Sequence, residues 1–253
     1  MIITVVGLAF EARVAARIAP GAGMQVICNG TNQTLATSLA EAIAKGCDGL
    51  ISFGVAGGLS PQLKPGTCVV GSTILSGPAR FPTDADWSGR LLRCAPDAVY
   101  GVIAGVSAPI AQPSAKHALH IRTGAIAVDM ESHIVASVGA AHGLPVAAIR
   151  AIADPAQRIL PQAVLVAVRP NGTTDVTAML RWMTRRPRDL PGLLRIALDA
   201  SAARRTLLRD GQALLSCLGI ANARKTEVGC TGDEGRVFEL CTKNVEPCRP
   251  SYS

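Results

Sequence analysis

Aromatic residues are scarce in this chain of 253 residues, since Phe, Trp and Tyr together account for 3% of it. The hydrophobic fraction is nevertheless 49%, so one sizeable core must be built from Ala, Val, Leu and Ile. The shortage also disfavours nucleic acid as a partner, because single-stranded bases are commonly bound by stacking on aromatic side chains.

Membrane-spanning and secretion signals are also missing. No apolar run reaches the roughly 18 to 20 uncharged residues that a transmembrane helix needs. The N-terminal stretch MIITVVGLAFEARVA has no basic segment before its apolar run and reaches Glu11 at once. We therefore interpret it as a first strand rather than a signal peptide, and we expect a cytoplasmic protein.

Metal-binding cysteine motifs are absent although the chain contains eight cysteines. Neither a C-x-x-C pair nor a histidine occurs among the last four, which are Cys217, Cys230, Cys241 and Cys248. We therefore predict no metal site. In a chain without a secretion signal we also expect no disulfide framework, and we interpret the remaining four as small core residues: Cys28, Cys47, Cys68 and Cys94.

Positive charge is concentrated in the C-terminal third of the chain. The net charge is +7, and eight arginines crowd one region: Arg181, Arg185, Arg186, Arg188, Arg195, Arg204, Arg205 and Arg209. Such a cluster is typical of a solvated helical face, and it also suits anionic lipid head groups. Both interpretations stay open at this point.

Short apolar runs alternate with helical patterns along most of the chain. This alternation predicts an α/β fold with a mostly central sheet. The pattern ends near Leu215, and the polar segment after it has no helical or strand period. We therefore predict a catalytic domain over residues 1–215 and an irregular C-terminal tail over residues 216–253.

Three carboxylates stand where two predicted strands end. The short run 126–128 is followed by Asp129 and Glu131, and the apolar run 144–153 ends at Asp154. Ligands of α/β proteins bind at the carboxyl ends of strands, so we predict an active site at this rim. Because a proline follows Asp154, a helix N-cap is the alternative interpretation of that residue.

Two glycine-containing turns can line the same rim. Gly7 follows the first strand, and the helix after it carries Glu11 and Arg13, so this turn can meet an anion or a nucleophile. In the stretch SFGVAGGL, Ala56 and Gly57 allow a planar ligand to lie against the main chain. The stretch contains no complete G-x-G-x-x-G motif, so a dinucleotide-dependent oxidoreductase is poorly supported.

These motifs together resemble a known family. The pair AVDMES and RAIADP, with SFGVAGGL before it, resembles the nucleoside phosphorylase superfamily, which includes the methylthioadenosine/S-adenosylhomocysteine nucleosidases. The segments GLAFEAR, AVDMESH, ADPAQRILP and LPGLLRIALDASAARRTLLR are most similar to the hopanoid-associated phosphorylases. The resemblance covers residues 1–215 and implies the fold of that superfamily, a three-layer α/β fold with a mixed central β-sheet flanked by helices.

The resemblance implies a role for each candidate residue. Asp154 would donate a proton to the departing purine, and Glu131 would accept hydrogen bonds from the ribose hydroxyls with Met130 packed on the sugar. Ala56 and Gly57 would line the base. The chemistry requires such groups, because the leaving base must be protonated by an acid of raised pKa while a carboxylate faces the oxocarbenium-like sugar.

The nucleophile is left open by the same comparison. In the nucleosidase branch an early glutamate aligns the attacking water, and Glu11 occupies that place. The phosphorolytic branches bring arginines to the phosphate, but SFGVAGGL contains none. Phosphate would then be held by Gly7, by Arg13, by the turn at residues 29–32 or by a neighbouring subunit.

We predict phosphorolysis of the N-glycosidic bond of an adenine nucleoside, with phosphate as a co-substrate and no cofactor. The resemblance implies adenosylhopane as the substrate, with adenine and phosphoribosylhopane as products. Hydrolysis of methylthioadenosine-like nucleosides is the alternative, and a non-catalytic nucleoside-binding module is a further one. We also expect a homo-oligomer, and peripheral contact of the arginine cluster with the inner membrane face, where an apolar substrate tail resides.

Overall fold

The computed structural model describes residues 1–18, 23–28, 32–162, 164, 190–217 and 227–230. Strands and helices alternate through these ranges. The strands are β1 Ile2–Val6, β2 Met24–Cys28, β3 Gly49–Gly58, β4 Cys68–Ser76, β5 Ala79–Pro82, β6 Val99–Gly105, β7 Ala127–Asp129, β8 Val146–Asp154 and β9 Glu227–Cys230. The helices are α1 Ala9–Ile18, α2 Asn32–Ala44, α3 Ala85–Cys94, α4 Pro113–Thr123, α5 Ser132–Ala141 and α6 Leu190–Cys217.

The strands form one mixed sheet in the order β5-β4-β6-β7-β3-β1-β2-β9, with β8 paired to both β3 and β4. Strand β8 runs parallel to β3 and antiparallel to β4, so β3, β8, β4, β6 and β7 close into a ring. Helices pack around this sheet, which confirms the predicted three-layer α/β fold with a mixed central sheet.

The core is built almost entirely from aliphatic side chains. Two large clusters of buried Ala, Val, Leu and Ile residues lie around the sheet strands and their helices. Phe53 on β3 is the one aromatic residue that is fully buried in the described part of the chain. The prediction of an aliphatic core is therefore confirmed.

Helix α6 packs against β8 and α3. It carries Cys217 at its end, and the sulfur of this residue is bonded to Cys94 at the end of α3, with the two Cα atoms 6.7 Å apart. The interpretation of Cys94 as an unpaired core residue is therefore wrong, because helix packing brings together two cysteines that are 123 residues apart. No helix within the described ranges is both long and apolar enough to cross a membrane.

The C-terminal segment contains regular structure at two places where an irregular tail was predicted. Helix α6 continues to Cys217, past the predicted boundary at Leu215. Strand β9 then pairs in parallel with β2, where it satisfies backbone groups that would otherwise form an open sheet edge. The rest of the predicted tail lies outside the described residues.

Candidate active site

The three predicted strand-end carboxylates lie around the end of strand β3. Gly57 of β3 pairs with Val128 of β7 on one side and with Asp154 of β8 on the other. Asp129 directly follows Val128, and Glu131 begins the turn into α5. The sheet therefore brings the ends of β7 and β8 to the same rim, as their order in the sequence predicted.

Glu11 is buried in the first turn of α1, where its carboxylate accepts three backbone hydrogen bonds. Oε2 accepts from the N–H groups of Gly7 and Leu8, each at 2.9 Å, and Oε1 accepts from Val55 at 2.7 Å. The contact with Leu8 resembles a capping box, but the contact with Val55 connects α1 to β3. Burial raises the pKa of Glu11, and the charge of Arg150 opposes that rise.

Glu131 reaches the same corner from the start of α5. A Cβ atom placed on Gly7 would lie only 2.3 Å from Glu131 Oε1, so the carboxyl group packs directly against the Gly7 backbone. Burial, followed by the negative charge of Asp129, raises the pKa of Glu131 to about 8, while Arg150 acts in the opposite direction. Met130, just before it, is half-buried.

Arg150 supplies the positive charge of this corner. It is 1% exposed, and its Nε donates to Asp129 Oδ2. Its Nη2 donates to Ser52 Oγ at 2.6 Å and to Ser132 Oγ at 3.1 Å, and it lies 3.8 Å from Glu131 Oε2. The predicted site omitted this residue, although an arginine inside an apolar strand run indicates a buried, paired charge.

Asp129 has two roles in this network. Its Oδ2 pairs with Arg150, and the same oxygen accepts from the hydroxyl of Ser132. Its Oδ1 accepts from the backbone N–H of Ser132 at 3.2 Å, so it also serves the N-terminus of α5. Asp129 therefore positions Arg150 and α5 rather than adding a free carboxylate to the site.

Asp154 is buried at the end of β8, with 8% of its surface exposed. Its Oδ2 accepts from Lys116 Nζ at 2.7 Å, whereas its Oδ1 is buried and has no hydrogen-bond partner in the described part of the chain. Burial raises the pKa of Asp154, and the charge of Lys116 opposes that rise. The N-cap interpretation is not supported, because a turn rather than a helix follows Pro155.

The predicted base-binding residues lie beside Asp154. A Cβ atom on Gly57 would lie 3.3 Å from Asp154 Oδ2 and 3.1 Å from Val128 Cγ1, so only a glycine leaves this approach open. The side chain of Ala56 packs into the core, so its backbone is the part that can face a ligand. Val55, which contacts Glu11, is two residues from Gly57, a separation of about 7 Å along β3.

Arg13 is the one predicted site residue that the structure does not bring to this rim. Its side chain is exposed on α1. Each residue of an α-helix is rotated by about 100° from the one before it, so Arg13 lies about 200° around the helix from Glu11. Arg13 therefore points away from the buried face that carries Glu11.

The close contact between Gly7 and Glu131 predicts the effect of one substitution. Gly7→Ala would place a methyl group where the Glu131 carboxyl lies, and the flexible end of that side chain would move away. We expect a fall in kcat/KM of about 10-fold or more with little change in thermal stability, since a positioned group is displaced without opening a cavity. The nucleoside cleavage that the sequence resemblance implies and the thermal unfolding of the variant measure the two effects.

Gly89→Ala in α3 is the matched control, because a Cβ there meets only the end of Arg93 at 3.6 Å. It should leave activity unchanged. Full activity of Gly7→Ala would show that the position of the Glu131 carboxyl does not matter for cleavage.

Comparison with known families matches residues 20–181 to the family described as the Phosphorylase superfamily. The match spans more than half of the chain, so this chain belongs to the phosphorylase superfamily. The predicted superfamily and the predicted enzyme class, nucleoside phosphorylase or nucleosidase, are thereby confirmed. No curated protein matches the chain.

Solved structures show the same fold at low sequence identity. A Helicobacter pylori 5'-methylthioadenosine/S-adenosylhomocysteine nucleosidase matches with 16% identity and a TM-score of 0.61, covering 87% of this chain and 98% of its own. The Neisseria meningitidis 5'-methylthioadenosine/S-adenosylhomocysteine nucleosidase matches with 17% identity and a TM-score of 0.61, covering 85% of this chain and 98% of its own. Futalosine hydrolase of H. pylori matches with 15% identity and a TM-score of 0.62, covering 85% of this chain and 97% of its own.

Proposed function

We propose that this enzyme cleaves the N-glycosidic bond of an adenine nucleoside, with Asp154 as the proton donor. The observation that carries the proposal is the position of Asp154 Oδ1, which is buried without a hydrogen-bond partner among the described residues, at the same rim as Glu131. Nucleosidases of the same fold have been solved with methylthio-immucillin-A and with 5'-methylthioadenosine in the active site, which supports a small nucleoside as the ligand.

The purine and the ribose of the substrate would bind at different ends of the rim. The purine would lie on the backbone of Ala56 and Gly57, where Asp154 can protonate a ring nitrogen and so make the base a better leaving group. The ribose would lie on Glu131 and Met130. As the C1′–N9 bond breaks, positive charge develops on the sugar next to the Glu131 carboxyl, which stabilises it when ionised.

The nucleophile would enter at the corner formed by Gly7, Glu11 and Arg150. We propose phosphate in this place, because motifs such as GLAFEAR and ADPAQRILP resemble those of the hopanoid-associated phosphorylases. The corner suits a dianion better when the Glu11 carboxyl carries a proton. The raised pKa of Glu11 favours that state, while Glu131 would face the sugar as a carboxylate.

Hydrolysis is the second candidate, and a specific observation favours it. Three of the five N–H groups of Arg150 are engaged by Asp129, Ser52 and Ser132, which leaves little of the guanidinium for a phosphate. Arg13, the arginine that was predicted for phosphate, is exposed on α1. A water aligned by Glu11 requires neither.

Product analysis separates these two reactions. The enzyme is incubated with an adenine nucleoside in phosphate buffer and in a phosphate-free buffer, and adenine and the sugar product are measured. Phosphorolysis gives adenine only with phosphate, together with a sugar phosphate. Adenine and a free sugar in both buffers would exclude phosphorolysis, and no adenine in either would exclude cleavage and leave a nucleoside-binding module.

The substituent on the 5′ carbon is proposed to be large and apolar, with adenosylhopane as the substrate. Ile110, which follows the strand end of β6, packs against a small apolar cluster that contains Val128 and Leu59. If the 5′ carbon of the nucleoside lies beside Ile110, an aliphatic side chain there would suit a hydrocarbon substituent. Adenosylhopane and methylthioadenosine should be compared as substrates by kcat/KM, and a preference for the thio compound would contradict this assignment.

Peripheral membrane contact is proposed for helix α6. Leu190, Leu194 and Leu198 are 40%, 58% and 66% exposed at intervals of four residues, so they lie on one face of the helix. Exposed arginines accompany them on α6, including Arg195 and Arg205. Apolar and basic residues on one exposed surface suit an anionic lipid interface. Four other arginines of the predicted cluster, Arg181, Arg185, Arg186 and Arg188, lie outside the described residues.

Vesicle co-sedimentation tests this contact. Binding should rise with the fraction of anionic lipid and should fall when Leu194 and Leu198 are both replaced by Asp. Ile121→Asp on α4 is the control, since Ile121 is an exposed apolar residue outside α6. Binding that does not change with the fraction of anionic lipid would exclude the contact.

We also propose that the chain is a homo-oligomer. Sedimentation velocity measures the oligomeric state, and a monomer would contradict this proposal.

A further inference from the structure

Lys116 on helix α4 is a buried lysine next to the proposed proton donor. Its side chain is 0% exposed. An ammonium group is rarely buried unless its N–H groups have acceptors, and Lys116 Nζ has three. It donates to Asp154 Oδ2 at 2.7 Å, to Pro155 O at 3.1 Å and to Arg158 O at 3.1 Å. Three acceptors match the three donors of an ammonium ion.

Helix α4 is otherwise largely exposed. Its buried residues are Lys116 and Leu119, one turn apart on the same face, while most of its other residues face solvent. The helix begins with Pro113 after an extended Gln112 and ends at Gly124 in the left-handed conformation. These ends fix a helix whose inward face presents one charged group to the end of β8.

The lysine makes the two oxygens of Asp154 unequal. Oδ2 accepts from Lys116, whereas Oδ1 has no partner within the described residues. A proton that Asp154 gives to a ligand must therefore leave from Oδ1, because Oδ2 already accepts a hydrogen bond from a cation. The ammonium also lies where it stabilises the carboxylate that remains after the transfer.

We propose that Lys116 is a positioning residue for the proton donor: it orients the Asp154 carboxyl so that Oδ1 carries the transferred proton, and it compensates the charge left behind. This inference rests on the proposed cleavage of a purine nucleoside. Lys116 itself touches neither the substrate nor the nucleophile, and it acts through Asp154.

The proposed step conserves protons and electrons. The Asp154 O–H bond breaks as a purine N–H bond forms, and the C1′–N9 electron pair moves into the purine. C1′ then bonds to an oxygen of phosphate or water. The nucleophile releases one proton to solvent, and Asp154 regains one from solvent before the next turnover, so no net proton is lost from the pair with Lys116.

Other charges near Asp154 are largely paired with each other. Arg158, which follows β8, and Asp199 on α6 form an ion pair with Nη2 and Oδ2 at 2.7 Å. Asp199 raises the pKa of Asp154 and Arg158 lowers it, and Lys116 lowers it more than either of them alters it. Loss of the lysine charge should therefore raise the pKa of Asp154.

The test compares Lys116→Met with Lys116→Gln, Lys116→Arg and the control Lys64→Met, in which the lysine is exposed. We expect kcat at pH 7 to fall by about 10- to 100-fold in the Met and Gln variants, because an acid that is no longer oriented transfers its proton poorly. Lys116→Arg should recover part of this loss. Circular dichroism checks that each variant is folded. If the Met variant is unstable, the Gln variant takes its place, because its amide can still donate hydrogen bonds.

The pH profile distinguishes positioning from a structural role. Asp154 acts only when protonated, so a higher pKa keeps it active to higher pH. The alkaline limb of kcat should therefore move to higher pH in the Met and Gln variants and stay in place in Lys64→Met. In an Asp154→Asn background, Lys116→Met should cause little further loss. A lower kcat with an unchanged alkaline limb would overturn the proposal.

A second measurement does not depend on turnover. Carbon-13 NMR of labelled Asp carboxyl groups follows the titration of Asp154, assigned with Asp154→Asn, in the wild type and in Lys116→Gln. A titration that moves to higher pH supports the coupling, and one that does not move contradicts it. If the wild type releases no adenine from any nucleoside, the proposed function fails while this measurement still decides the role of Lys116.

Discussion

Asp154→Asn should lower kcat by about 10²- to 10⁴-fold, while KM changes little. The amide can still accept from Lys116 Nζ in the place of Oδ2, so the ion pair becomes a hydrogen bond and the end of β8 keeps its position. What the amide cannot supply is an acidic proton for the purine. The loss should therefore appear in the chemical step rather than in binding of the nucleoside.

Steady-state adenine release over a range of nucleoside concentrations measures both constants. Asp97→Asn is the matched control, because Asp97 is exposed and lies in the loop before β6. The control should retain wild-type kcat. Wild-type kcat in Asp154→Asn would mean that another group protonates the base, and a large rise in KM with unchanged kcat would assign Asp154 to binding alone.

The part of the site that lies at strand ends could be predicted from the sequence. An apolar run that ends in an acidic residue has few interpretations in an α/β protein, and both Asp129 and Asp154 follow such runs. Strand pairing then sets their separation, because Gly57 of β3 pairs with Val128 and with Asp154. The turn at Gly7 could also be predicted, because Gly7 directly follows the apolar run of β1.

The two basic residues of the site were not predicted, and the reasons differ. Arg150 stands within a continuous apolar strand, so its burial and its need for a partner were visible from the sequence. The sequence prediction placed phosphate at Gly7, Arg13 or the turn at residues 29–32, and none of these lies on β8. Lys116 gave no such signal, because α4 is a mostly polar helix and only its packing against the end of β8 buries one lysine.

Contacts distant in sequence account for the differences elsewhere. The disulfide between Cys94 and Cys217 depends on how α3 packs against α6, and the pairing of β9 with β2 depends on an open sheet edge. No local pattern encodes either contact. Arg13 illustrates the opposite error, since its position two residues after Glu11 placed it near the site in sequence but on another face of α1.

Arg150→Met should destabilise the protein by about 3 to 5 kcal/mol, the usual result when one partner of a buried ion pair is removed. The side chain is 1% exposed, and its loss would leave Asp129 as a buried carboxylate whose remaining hydrogen bonds come from Ser132. Methionine fills much of the volume, so the effect reports the uncompensated charge rather than a cavity. Urea denaturation measures the free energy of unfolding.

A second substitution separates charge from packing. If the unpaired Asp129 causes the loss, adding Asp129→Asn to Arg150→Met should recover part of the stability, because the carboxylate that pairs directly with Arg150 is then replaced by a neutral amide. Arg122→Met on the exposed side of α4 is the control and should change the free energy of unfolding by less than about 0.5 kcal/mol. A loss below about 1 kcal/mol for Arg150→Met would show that Asp129 finds another partner. Nucleoside cleavage should not recover in the double variant, because the nucleophile corner would still lack its cation beside Glu131.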